Sequence, residues 1–351
     1  ERQGLLLQAR IANPTWGRRL LESSWKNLPD SARHMLIEHL RQRLSMEDEP
    51  FLEMALDDRS QHVRRKAAEL LAHLVDSRLA QRMAARVGDV VHYRPDETHR
   101  VQLVFSDELS VDAMRDGVLQ RKGKNRAHLR GLQLIEMVGA VPLAHWSANW
   151  GITPGEVVQA MRDSLWPRTL TQALCVAAVR QQNARWAAAL LDASEMHEHA
   201  VRAVPALSLD ECDRLLARWD QVLANELPLS KESRLIQILR QRTGPWSAAM
   251  TRRLWRLLER RQVEENKQLD HAVNVVIKQM GLSCPPALLS ESIALFDSLP
   301  SAMKNGTPAA IVRLLPASRL TRLPPSTTIP CASMMRRIER ARSSLQRLPR
   351  S

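Results

Sequence analysis

Apolar positions recur at three- and four-residue steps along most of the chain, the spacing that lays one stripe along a helix. Within residues 46–75, Phe51, Leu52, Met54, Ala55 and Leu56 predict the apolar face of a first helix. Asp57, Asp58, Arg59 and Ser60 read as a polar turn, with Ser60 the expected N-cap. Val63, Ala67, Leu70, Leu71 and Leu74 then mark a second helix antiparallel to the first. Residues 30–44 are amphipathic, with Met35, Leu36, Leu40 and Leu44 apolar.

Further elements follow the same spacing. Thr153-Pro154-Gly155-Glu156 reads as a cap, a first-turn proline and an acid, opening a helix to Leu165. Helices are predicted over 167–180 and 184–191, and after the capping box Ser208/Glu211. Others are predicted over 231–240 and 245–261, and around Leu269, Val273, Val276 and Met280. Residues 87–110 break the pattern: Val90-Val91, Pro95 and the alternation Val101, Leu103, Phe105 predict a short strand or hairpin.

Composition agrees with an all-α fold. Tyr93 is the one tyrosine, Phe51, Phe105 and Phe296 are the phenylalanines, and there are 12 glycines. That is poor material for strands and tight turns, whereas Ala, Leu, Arg, Gln and Glu favour helix. The longest apolar run, residues 173–179, falls far short of the roughly 20 residues that span a bilayer, so no membrane span is expected. No signal peptide is legible. Cys175, Cys212, Cys284 and Cys331 lie far apart with no CxxC, which suits isolated thiols in a reducing cytoplasm.

Asp58, Val63, Arg64, the pair Ala67-Ala68 and the pair Leu70-Leu71 together resemble the second half of a HEAT repeat. Asp58 and Arg64 are expected to bond within and between turns, and the small alanines to admit a neighbouring helix. The expected architecture is an α-solenoid of irregular HEAT-like helix pairs with a short strand or hairpin insertion near 87–110. The expected organisation is a helical block at 1–86, an irregular insertion at 87–127 and a second helical block at 128–300. Residues 301–351 close it as a basic, Pro-, Ser- and Arg-rich flexible tail.

Residues 56–83, the segment DAMRDGV at 112–118, and VPLAHW at 141–146 with ITPGEVV at 152–158 extend the resemblance. Over about residues 16–300 the chain resembles a bacterial family of HEAT-like proteins. That family is encoded beside a MoxR-type AAA+ ATPase, a von Willebrand factor A-domain protein and a SWIM zinc-finger protein. The resemblance implies a helical scaffold with a protein partner in that ATPase system, and it supplies no catalytic residues. The residues after Pro300 do not share it.

The formal net charge is +13, but residues 302–351 hold ten basic groups and one acid, leaving the remainder near balance. A nucleic-acid partner is therefore the alternative, on the model of HEAT-like DNA glycosylases. Within the body, Arg121, Lys122, Lys124 and Arg126 surround Gly123 as a candidate anion-binding run. Among nine tryptophans, Trp146 and Trp150 share one helical face and are the candidate hot-spot anchors. His197-Glu198-His199 has the wrong spacing for a helical metal site, and no Walker A, GxGxxG or GxSxG sequence occurs. The expectation is a non-catalytic interaction protein without cofactor, metal or catalytic residues.

Overall fold

The computed structural model describes residues 2–106, 108–119, 123, 125–193, 200–218, 234–242, 246–259 and 285–288. The chain is all-α with one small hairpin. It divides into two compact units, residues 1–206 and 207–351.

In the first unit, α1 (Arg2–Ala12) packs on α2 (Pro14–Ser24), and α3 (Asp30–Ile37) packs on both α1 and α5 (Gln61–Leu71). The α1–α2 approach depends on Gly17, where a Cβ would stand 3.0 Å from the Arg10 backbone nitrogen. α4 (Glu49–Ala55) and α5 (Gln61–Leu71) are the helix pair expected within 46–75. Val63, Ala67, Leu70 and Leu71 are fully buried, as their spacing predicts. Leu52, Ala55 and Leu56 meet them from α4, and Phe51 sets its ring edge against Trp25 at 4.9 Å.

Two apolar assignments are corrected. Met54 and Met35 are 47% and 49% exposed, and the charged neighbours Glu53 and Arg33 take buried places instead. Periodicity scores hydrophobicity, whereas these two charges are buried because each finds an opposite charge. The helix expected over 30–44 also ends sooner, with α3 giving way to a 3₁₀ turn at Glu38–Arg41.

α6 (Arg78–Val90) leads into β1 (Val91–Tyr93), which pairs antiparallel with β2 (Val101–Leu103), Val91 facing Leu103. This is the hairpin expected near 87–110. α7 (Val111–Arg115) and α8 (Arg126–Val138) follow, and α8 packs on α6 and on α11 (Pro167–Arg180). All of these elements belong to the unit of residues 1–206.

α9 (Leu143–Trp150), α10 (Pro154–Arg162), α11 (Pro167–Arg180) and α12 (Ala184–Ala193) complete the unit with a 3₁₀ turn at Ala200–Ala206. The Thr153/Glu156 capping box forms in both directions, although α10 stops short of Leu165. α11 keeps its expected bounds and buries Leu170, Ala173, Leu174, Cys175 and Ala177 completely.

In the second unit, α13 (Leu209–Arg218) starts at the Ser208/Glu211 box and packs on α15 (Ala248–Glu259), while α14 (Arg234–Gln241) lies between them in sequence. Cys212, Leu215, Leu216, Leu239, Trp246 and Met250 are buried. The helix expected around Leu269–Met280 and the tail at 301–351 lie outside the described residues.

Candidate interaction surface

Asp58 and Arg64 sit in a charge clamp at the α4–α5 turn. Asp58 closes the α4–α5 turn by accepting from the Ser60 amide at 2.9 Å. Its other side meets Arg33 of α3, with Nη2 3.0 Å from Oδ1 and Nε 2.9 Å from Oδ2; both side chains are about 95% buried. Arg33 also donates to Leu28 O at 2.7 Å and to Asp30 at 2.8 Å. Arg64 donates back onto the turn at Asp58 O, 2.7 Å, and Arg59 O, 3.1 Å. Ser60 occupies the N-cap position without a side-chain cap bond. Ser60 thus stands where expected, and Asp58 fixes it there by accepting its backbone amide.

Sequence reading missed two further clamps. Arg10, fully buried, donates to both oxygens of Asp48 at 2.9 Å and to the carbonyls of Pro14, Leu40, Gln42 and Arg43. Asp116 receives Arg82 at 2.7 Å and Arg86 at 2.6 Å, while Arg82 also holds Glu53 at 2.9 Å. Burial pushes the Asp116 carboxyl up, but hydrogen bonds from Arg82 and Arg86 outweigh it and hold the group below the usual carboxylate range. The Asp116-Gly117 dipeptide was the legible signal, since it marks a turn. Gly117 adopts φ +91°, and a Cβ there would stand 2.6 Å from the Ala68 Cβ. The small Ala68 of the signature therefore admits this turn.

Between α5 and α11 lies a cleft of about 290 Å³ lined in part by His34, His62, Lys66, Glu69 and Arg180. Within it Lys66 spans Glu38 and Glu69 at 2.8 and 2.7 Å. Beside it His73 Nδ1 lies 3.0 Å from Arg180 O and Nε2 lies 2.9 Å from Arg41 Nη2. A guanidinium only donates, so Nε2 accepts and the ring is neutral with its proton on Nδ1. Burial, then the cations Arg41 and Arg180, lower its pKa.

Trp146 is 1% exposed and sits in the core, whereas Trp150 is half-buried. Trp150 stacks on Tyr93 of β1 at 4.7 Å and meets the Trp146 edge at 5.2 Å. The pair therefore fastens the hairpin to α9. A recess of about 460 Å³ opens beside them, lined also by His92, Arg94, His145 and Asn149. Elsewhere Trp25, Trp186 and Trp246 are buried and Trp16 is 56% exposed.

A depression of about 1070 Å³ runs between the end of α6, the segment after β2, α7 and α8. Its floor includes Val90, Val104, Phe105, Leu109, Leu129 and Met137. Arg126, exposed at the start of α8, also lines it, as do Gly123, Arg130, Asp89 and Glu108. Arg121, Lys122 and Lys124, the other members of the candidate basic run, lie outside the described residues, as do His197 and His199.

Among the described residues no three His, Cys, Asp or Glu side chains converge on a metal-sized site. No described helix is long and apolar enough to cross a membrane. Burial pushes the Cys175 thiol up to about 12 and raises Cys212. Neither thiol is in a disulfide, and burial makes both poor nucleophiles.

No curated protein and no solved structure matches the chain. One family model, described as a family of unknown function (DUF5691), matches residues 1–323. That match covers most of the chain, and the protein belongs to the DUF5691 family.

Proposed function

We propose that this protein is a non-catalytic HEAT-like interaction scaffold that works with a MoxR-type AAA+ ATPase system. The observation that carries the reading is the Arg33–Asp58 clamp with Arg64 folded onto the same turn. It ties one helix pair to the element before it, which is how stacked repeats hold extended faces for partners. The ATPase system comes from the resemblance of residues 56–83, 112–118 and 141–158 to the bacterial HEAT-like family. Buried thiols at Cys175 and Cys212, neither in a disulfide, support a reducing, cytoplasmic setting.

The test is a native pull-down of the tagged full chain co-expressed with a MoxR-type ATPase. The ATPase should be retained, and ATP hydrolysis should require it. Failure to retain it, or hydrolysis by the purified chain alone, refutes the reading. Nucleic-acid binding is the second reading, favoured by the net charge of +13. Affinity for duplex DNA that falls steeply with salt and is unchanged on deleting residues 302–351 would support it over the first.

A further inference from the structure

We infer that the outer edge of β2 takes up an extended peptide segment of a protein partner as a third strand. This deepens, and rests on, the scaffold reading. The hairpin is a two-stranded sheet, so among the described residues no strand pairs with the side of β2 turned away from β1. The register says which main-chain groups face that way. Arg94 N–H donates to Arg100 O and Val104 N–H donates to Val90 O, both at 2.8 Å. Hydrogen-bonded and non-bonded pairs alternate along an antiparallel ladder. His92/Gln102 is therefore the bonded pair between those two, and Val91/Leu103 and Tyr93/Val101 are non-bonded pairs. The N–H and C=O groups of Val101 and Leu103 thus point outward, with no hydrogen-bond partner among the described residues. Val101 is 2% exposed, and a buried backbone group is rarely left unpaired. Such an edge is a template for another strand. The opposite edge is less open, because Val91 N–H bonds Val87 O and Trp150 stacks on Tyr93.

The β2 edge opens into a groove. A depression of about 590 Å³ is lined by the consecutive residues Val101, Gln102, Leu103 and Val104, with Leu165 and Trp166 of the α10–α11 connection. Val104 is 56% and Leu165 76% exposed, so apolar surface is left in water on both sides. The hairpin is tied to that connection: Arg100 meets Asp163 at 2.6 Å, and His99 Nδ1 lies 2.8 Å from Asp163 O. The groove is therefore formed before a ligand arrives. A second wall beside the edge leaves room for one slender chain and obstructs the broad edge of another folded copy.

The lining also favours peptide over nucleic acid. Its acids are Asp96 and Glu97 of the hairpin turn, and no Lys or Arg belongs to it. Glu97 holds Gln102, whereas the Asp96 side chain has no partner among the described residues. A phosphate backbone would meet no cation there. A peptide strand would pair its main chain with Val101 and Leu103, lay alternate side chains beside Val104 and Leu165, and offer a lysine to Asp96.

The experiment uses the full chain and a short fluorescein-labelled peptide alternating valine with threonine and carrying one lysine, followed by fluorescence anisotropy. A bound strand turns every second amide toward β2. Of two peptides N-methylated on the two alternate sets of amides, one should lose at least about tenfold in affinity and the other should keep it. Leu103→Pro removes the outward N–H and none of the bonds to β1, so the hairpin should survive, as hydrogen exchange over residues 90–104 would verify. It should weaken binding about tenfold or more. Leu165→Ser, at an exposed position of the facing wall, and glutamate for the peptide lysine should each weaken it about threefold or more.

Several results would overturn the assignment: no binding by the wild type, equal losses for the two methylated peptides, or unchanged binding by Leu103→Pro with its hairpin intact. Displacement of the peptide by a single-stranded oligonucleotide, or a dimer of the chain that Leu103→Pro dissociates, would do so as well. If the peptide fails while the ATPase is still retained, the edge assignment falls and the scaffold stands. If the peptide binds but the ATPase is not retained, the partner system falls and the edge assignment stands.

Discussion

Replacing Asp58 by alanine tests the clamp that holds α3 to the α4–α5 turn. The substitution removes both carboxylate contacts to Arg33 and the acceptor of the Ser60 amide. Breaking one side of a buried ion pair costs about 3–5 kcal/mol, because the remaining charge is left unpaired. Here Arg33 keeps Leu28 O and the half-exposed Asp30, so the lower end, about 3 kcal/mol, is expected. Arg33→Met should cost a similar amount by stranding Asp58. In the double variant neither charge is stranded, so the loss should be about 4 kcal/mol, with a coupling of about 2 kcal/mol. Urea denaturation of the four proteins at fixed pH measures this, with unchanged m-values marking a change in stability alone. Single losses below about 1 kcal/mol, or a double loss equal to their sum, would show a solvent-screened pair and refute the clamp.

Gly117→Ala should destabilise by about 2 kcal/mol or more, through both positive φ and the Ala68 contact. Adding Ala68→Gly should recover part of that loss in thermal denaturation, and full recovery would show that backbone strain contributes nothing. His73 has a folded-state pKa below its unfolded value, so the unfolded chain binds its proton first. The stability this gives is present above about pH 6.5 and is lost as pH falls through the folded value. Urea midpoints should therefore drop across that range, and the drop should shrink in His73→Gln; an identical slope would remove His73 from the account. Cys175, with its thiol at about 12, should label with a maleimide at least about 100-fold more slowly in the native protein than in urea. Rapid native labelling would contradict its burial.

The legibility of this chain follows the range of each interaction. α11 was readable to its ends because Pro167 can open a helix and an apolar run fills the body. The Thr153 and Ser208 capping boxes were readable because a box closes within four residues. The hairpin was readable from strand alternation around Pro95. The partners of Arg10, Arg82 and Arg33 lie 25–38 residues away in sequence, so no local pattern announces them. The same distance explains why Glu53 and Arg33, rather than Met54 and Met35, point inward.

Of the candidate anchors, Trp146 and Trp150 did share a face, but the sequence does not say that Tyr93 would cover it. Periodicity, caps and composition by themselves determined an all-α chain with one hairpin, because helices are written by neighbours three and four residues apart. Only tertiary packing decided which charges are buried together, where the aromatic rings meet, and that Val104, Val111 and Arg126 border one groove. Those outcomes depend on which distant surfaces exclude water from one another, and a linear pattern carries no record of that.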